Sequence, residues 1–450
     1  MKKKLLFMLM ALLALGLFVA CGGDSQQPAA TPPAAQAGAG GGETAAPPEG
    51  ERREPVTLSI LMGRDTVMEP FYAAFELLYE RYNITMDIDI RPGGPEGEHI
   101  VRTRLATGDM TDIVPFNSGA LFFALNPSQH FVDISDQPFV QNLDGAYLST
   151  VTVGNQIFGV PLEDNLVGGI YYNVRIYEQL GLSVPRTWDD FMHNLQVIED
   201  AGITPMAGAF ADIWTTQLVL LSDFFYLHTA YPTWYQDFTY NRAGFADTPL
   251  ALRSFEKTYD LAQFMNADAI ATRFPMAVEM LATGEAAHFP MHSFLLSIIA
   301  SDFPEYVDDI GFFALPGDDP NHYGISVWLS DSIFINNQTE NLEAALIFMN
   351  FMASPEVVEL RHSIRPPIGP SSVYGVELPP DSMRAVLDAQ VYFERGLTAP
   401  ALEFITPLKG PNLPQITQEL GLGMSDPLRA AELFDADNER QAIQLGLEGW

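Results

Sequence analysis

Two carboxylates and an amide, Glu163, Asp164 and Asn165, stand directly ahead of the apolar run 166–172 in "VPLEDNLVGGIYYN". A run of that kind belongs in a core, and a core rejects such side chains unless they are paired or face a ligand. Paired acids suggest glycoside hydrolysis, which sets two carboxyl groups about 5 to 9 Å apart around one bond. Neighbours on an extended chain point to opposite faces, so Glu163 and Asp164 do not form that pair easily. Other catalytic spacings are missing: there is no H-E-x-x-H, no G-x-S-x-G and no spaced Cys/His set, and the eight histidines are scattered. "FDADNER" at 434–440 starts like a calcium loop, but it lacks Gly at the sixth position and Glu at the twelfth. No metal, no cofactor and no enzyme activity are expected, with glycoside hydrolysis kept as an alternative.

The elements that must position these groups read as α/β. "VTLSIL" at 56–61 is a buried strand, Phe71, Phe75, Leu78 and Tyr82 recur at helical spacing, and "ITMDIDI" alternates with Ile84, Met86, Ile88 and Ile90 on one side. A second helix ends near Gly108 and "DIVPF" at 112–116 makes a third strand, so the connections are crossovers. Crevices in such sheets open beyond the carboxyl ends of strands. That rule selects Gly63, Arg64 and Asp65 after the first strand, and Asn117 and Ser118 after the third. The charged pair Arg64–Asp65 has a second reading, as a cap on the following helix. Further on, a hairpin turns at Gly154-Asn155, and Thr187 caps a helix with Trp188, Phe191, Leu195 and Ile198 inward and Gly202 at its end. Leu342, Ala345, Leu346 and Met349 form the inner face of another helix, and Ser354-Pro355 opens the next. With 450 residues, 47% of them apolar, the chain can fill more than one core, so two α/β lobes with a helix-rich tail are expected.

The beginning of the chain follows different rules. "MKKK", the apolar run 5–20 and then Cys21 have the form of an export signal, and "FVAC" resembles a bacterial lipobox with Phe18 where Leu is usual. Residues 1–20 are expected to be a lipoprotein signal peptide, Cys21 the lipidated residue, and 21–55 a disordered tether of Gly, Ala, Pro, Gln and Glu. Cys21 is the single cysteine, so no intramolecular disulfide forms. Formal net charge is −34, and Lys257 and Lys409 are the only lysines after the leader. Such a field repels nucleic acid and anionic lipid and favours neutral or cationic ligands.

Several segments taken in order resemble one family, the sugar-type (family one) extracellular solute-binding proteins of ATP-binding-cassette importers. They are "LATGDMTDIVPF", "IFGVPLEDNLVGGIYYNVRIYEQLGLSVPRTWDDF", "AGITPMAGAF", "LATGEAAHFPMHSF", "IGFFALPG" and "LEAALIFMNFMASPE". Thr111 stands where the family usually has Pro, and "HSF" at 292–294 replaces a commoner Gly-Ser-Trp type. The resemblance implies two α/β lobes joined by hinge strands, closing on a ligand. Lobe one would hold 56–163 and 331–376, lobe two 169–325 and 383–450, with 163–168 as a hinge crossing. Glu163, Asp164 and Asn165 would then be polar because they emerge at the cleft.

A sugar presents hydroxyls that donate and accept, and a weakly apolar C–H face, so its site needs carboxylates or amides beside flat aromatics. Asp164 is the first polar choice, followed by Glu163. Trp214 falls where the family places an aromatic platform, Trp328 falls at the second crossing, and His292 and Phe294 stand at a helix start, with Phe294 expected to pack. The implied partners are a carbohydrate, the importer's permease subunits and the membrane holding the Cys21 lipid. A monomer on the extracellular face of a bacterial cell membrane is expected. An extracellular glycoside hydrolase and a sugar sensor without a transporter are the alternatives.

Overall fold

The computed structural model describes residues 54–450 apart from Asp65 and Gly93. The leader, Cys21, the spacer as far as Arg53, and Asp65 lie outside the described residues. Two main sheets organise the rest. The first runs in the order Ile84–Arg91, Val56–Gly63, Ile113–Phe116, Ser332–Ile335, Gly159–Pro161. Its first three strands are parallel, and Ser332–Ile335 returns antiparallel to both of its neighbours. The second runs Thr398–Pro400, Ile325–Trp328, Leu166–Asn173, Ala286–His292, Thr204–Met206, with Ile310–Phe313 also paired to Leu166–Asn173.

Central strands are apolar on both faces because both faces are covered. Leu58, Ile60, Leu61 and Met62 are all buried, as are Val167 and every residue from Gly168 to Asn173. Tyr171 and Tyr172 both lie in core. At the edge of the first sheet the alternation of "ITMDIDI" buries Ile84 but leaves Ile90 47% exposed. Thr187 caps the helix Trp188–Asp200 by accepting the Asp190 N–H at 3.1 Å, and Trp188, Phe191, Leu195 and Ile198 are buried. In the helix Leu342–Met352 the inner stripe is Ala345, Phe348, Met349 and Met352, while Leu342 is exposed. The larger Phe348 sets the phase there, which corrects the assignment of Leu342 to the core.

The chain passes between sheets at 162–165 and again at 329–331. A third passage, 365–383, leads from the helix Pro355–Ile364, packed on Glu69–Tyr82, to Arg384–Glu394, packed on Ile310–Phe313. The first two passages are tighter than a 163–168 hinge. Leu166 already pairs with Trp328 and Val167 with Val327 inside the second sheet.

Candidate functional site

Asn165 binds all three passages together. Its Nδ2 donates to the Pro370 carbonyl at 3.1 Å and to Ser372 Oγ at 2.8 Å, and its Oδ1 accepts the Ser330 N–H at 3.2 Å. Its own N–H donates to Pro370 O at 3.0 Å. Backbones press together so closely here that a Cβ on Gly369 would stand 1.9 Å from the Asn165 carbonyl oxygen, so only glycine fits. Asn165 is fully buried with its amide used up, which corrects the expectation that it opens to a cleft. Asp164 is likewise engaged: both carboxylate oxygens lie 2.9 to 3.0 Å from Nε2 of His362, which is buried. The adjacent Arg361, also buried, donates to the Leu162 carbonyl and lies over the Phe71 ring. Asp164 therefore anchors the first passage to the helix Pro355–Ile364 and is not the free polar group it was chosen to be.

Glu163, in the bend that follows the strand Gly159–Pro161, is exposed. Protein crowded around it raises its pKa, and nearby Asp331 raises it further. Asp331, in the second passage, is raised by burial and partly offset by Arg91. Its Oδ1 accepts from Asn117 Nδ2 at 2.9 Å. Arg91 is buried under the Phe116 ring and donates to the Pro115 carbonyl at 3.3 Å, and its own carbonyl accepts the Arg64 N–H at 2.8 Å. Arg64 is exposed. The carboxyl ends of the three parallel strands thus converge on Asp331, the place the crevice rule selects. Sequence reading missed Asp331 and Arg91, although a lone Asp in the turn between two apolar strands, "VWLSDSIFI", was a usable signal.

Beside this edge the second sheet carries an aromatic wall. Trp214 sits in the 3₁₀ turn Ile213–Gln217, which is fixed by Thr215 Oγ1 donating to Ala209 O and by Asp212 accepting the Phe274 N–H. Its ring is half-buried, meets Phe274 edge-on at 5.0 Å and stacks at 5.8 Å on His292, the last residue of its strand. His292 in turn lies 6.0 Å from Trp328 and 6.0 Å from Phe294. Phe294 is 44% exposed, which overturns its reading as a packed ring, and lies nearly parallel to Phe274 at 6.1 Å. The Trp328 indole covers Gly168, where a Cβ would come within 2.3 Å of the ring. Its Nε1–H donates to Glu403 at 3.0 Å, and Lys409 holds the other Glu403 oxygen at 2.9 Å. Glu403 was also missed. Lys409, one of two lysines in the folded body, was the available hint.

Burial brings the His292 pKa down to about 4, so the ring is neutral at physiological pH. Its Nδ1 accepts the Phe294 N–H at 3.3 Å, which places the proton on Nε2. Among the described residues no hydrogen bond from Nε2 to another side chain is formed. The wall adjoins the passages directly, since Trp328 pairs with Leu166 and Ser293 and Val167 exchange hydrogen bonds at 3.1 and 3.2 Å. Among the described residues no group of three His, Cys, Asp or Glu is placed to hold a metal ion.

A family model described as "Bacterial extracellular solute-binding protein" matches residues 63–359. The chain belongs to this family. As a solute-binding protein it is 26% identical over 278 residues to the "Multiple sugar-binding protein" of Streptococcus mutans, a match covering 60% of this chain and 65% of that one. It is 20% identical over 333 residues to the "Melibiose/raffinose/stachyose-binding protein MelE" of Bacillus subtilis, covering 67% of this chain and 71% of that one. The apo form of RafE from Streptococcus pneumoniae superposes with a TM-score of 0.74 at 19% identity, over 87% of this chain and all of the other. These structural neighbours show the fold, two lobes of α/β type. The family match spans every sequence-derived ligand candidate, whereas Glu403 and Lys409 lie beyond it.

Proposed function

We propose that this solute-binding protein captures a neutral carbohydrate between its two lobes and delivers it to an ATP-binding-cassette importer. Lobe one is built on the first sheet and lobe two on the second, with the passages at 162–165 and 329–331 as the hinge. Trp214, Trp328, His292 and Phe294 stack on the C–H faces of the sugar, while Glu163, Asn117, Asp331 and the His292 Nε2–H meet its hydroxyls. The observation that carries this reading is the half-exposed aromatic wall, set beside carboxylates that water still reaches. The names of the relatives, a multiple sugar-binding protein and a melibiose/raffinose/stachyose-binding protein, support it. Lipid on Cys21 holds the protein, a monomer, on the extracellular face of the cell membrane beside the permease.

No turnover is involved. The relatives named above are sugar-binding proteins, which supports capture without chemistry. Micromolar capture corresponds to about −8 kcal/mol, within reach of a few desolvated hydrogen bonds and stacked rings. A thermal-shift screen against mono- and oligosaccharides, amino acids and polyamines tests the proposal. A rise in Tm with a saccharide and none with the other classes supports it. Stabilisation by an amino acid or polyamine alone, or release of free sugar from a glycoside, overturns it.

A further inference from the structure

A groove of about 1120 Å³ is present elsewhere on the molecule, and none of the site residues above lines it. One bank comes from lobe one, with Asn126 and Gln129; the other comes from lobe two, with His228, Tyr235, Gln236 and Tyr240. Between groove and wall stands the helical turn Leu402–Ile405: Glu403 reaches to Trp328, whereas Ile405, two residues on and facing elsewhere, lines the groove. The neighbouring Phe404 backbone is pressed against Gly119 of lobe one, where a Cβ would lie 2.2 Å from its carbonyl oxygen.

The lining chemistry selects an occupant. Of the 15 lining residues none is Asp, Glu, Lys or Arg, although 18% of the chain is charged. Burial also lowers the pKa of His228, so its imidazole favours the neutral form. What remains are aromatic rings, amides and hydroxyls. Tyr240 is 45% exposed, Tyr235 is partly exposed with its hydroxyl accepting from Gln236 Nε2 at 3.1 Å, and Gln236 and Gln129 are exposed. Arg242 lies over the Tyr240 ring at 5.4 Å and is already paired with Asp237 at 2.8 Å, so a neutral polyhydroxylated molecule finds the other face of that ring, the Tyr235 ring and both kinds of hydrogen-bonding group.

We infer that this groove is a second saccharide site, separated from the first by the turn Leu402–Ile405, with Tyr235 and Tyr240 as stacking platforms. The inference rests on the carbohydrate reading above. Because its banks belong to different lobes, a saccharide held here favours the same lobe arrangement as one held at the aromatic wall.

Calorimetric titration of the full chain with melibiose, raffinose and stachyose tests it. Two binding events are expected. Replacing Tyr235→Ala together with Tyr240→Ala weakens one at least tenfold, and Trp214→Ala weakens the other. Gln236→Ala, a change at an exposed side chain, gives a smaller loss at the groove event and guards against misfolding of the double variant. A single event, or a tyrosine double variant that titrates like the unchanged protein while Trp214→Ala loses affinity, overturns the groove and leaves the carbohydrate reading standing. No binding of any of the three sugars overturns the groove as a site for them, while the broader saccharide screen above decides the carbohydrate reading.

Discussion

The inter-lobe passage and the aromatic wall are joined through Leu166 and Trp328, yet they treat polar atoms in opposite ways. In the passage Asn165, Asp164 and Arg361 have partners within the protein and are buried or nearly so. Along the wall the rings are half-exposed, and no hydrogen bond from His292 Nε2 to another side chain is formed. The passage network is buried and largely paired, with Arg361 Nε and His362 Nδ1 left without partners; a network of this kind fixes geometry, whereas half-exposed groups at the edge of solvent are open to an incoming molecule. If the first region serves mechanics and the second recognition, as proposed above, damage to each shows in a different measurement.

The largest effect is expected from Asn165→Ala, which strips partners from Ser330 N–H and Ser372 in a buried place and should cost about 2 to 4 kcal/mol in urea unfolding. A loss near zero would mean that the passages hold together without it. Next comes Trp214→Ala, for which calorimetry should read at least a tenfold weaker saccharide affinity, about 1.4 kcal/mol, with folding retained. Equal affinity would take Trp214 out of the site and blur the contrast drawn here. A smaller effect concerns Asp331 and Glu163. Their pKa values are raised in the folded state, so the native protein binds more protons and their contribution to stability is lost as pH rises through those folded values. Asp331→Asn should therefore raise the Tm more at about pH 7 than at about pH 3.5. The same gain at both would show that the two carboxylates do not oppose each other. Smallest of all, the His292 ring protons in an NMR titration, assigned with His292→Gln, should not shift above about pH 5.5. A midpoint near the ordinary histidine value would mean the imidazole is solvated and the donor not fixed.

Much of this was legible because it is local. The cap at Thr187, the hairpin at Gly154 and the buried strand Val56–Gly63 follow from residues close in sequence. The aromatics Trp214, His292, Phe294 and Trp328 were each picked out, and the fold brings them together. What sequence could not decide was which of Glu163 and Asp164 turns outward, since alternation permits either. The deciding partner, His362, lies 198 residues further on. Asn165 was misjudged for the same reason, because Pro370 and Ser372 belong to a passage that no periodicity marks. Ile90 and Leu342 show a further limit: a period gives the face of an element but not where its cover ends.

Two of the chain's five tryptophans, Trp214 and Trp328, stand at the proposed recognition surface, both partly open to water. Each has a ring contact with His292, and the Trp328 indole is tethered through its nitrogen to Glu403. A guest that expels solvent from these indoles changes the polarity they sense, so occupancy would register in ultraviolet emission without any attached dye. The molecule carries its own optical gauge at the place where it matters.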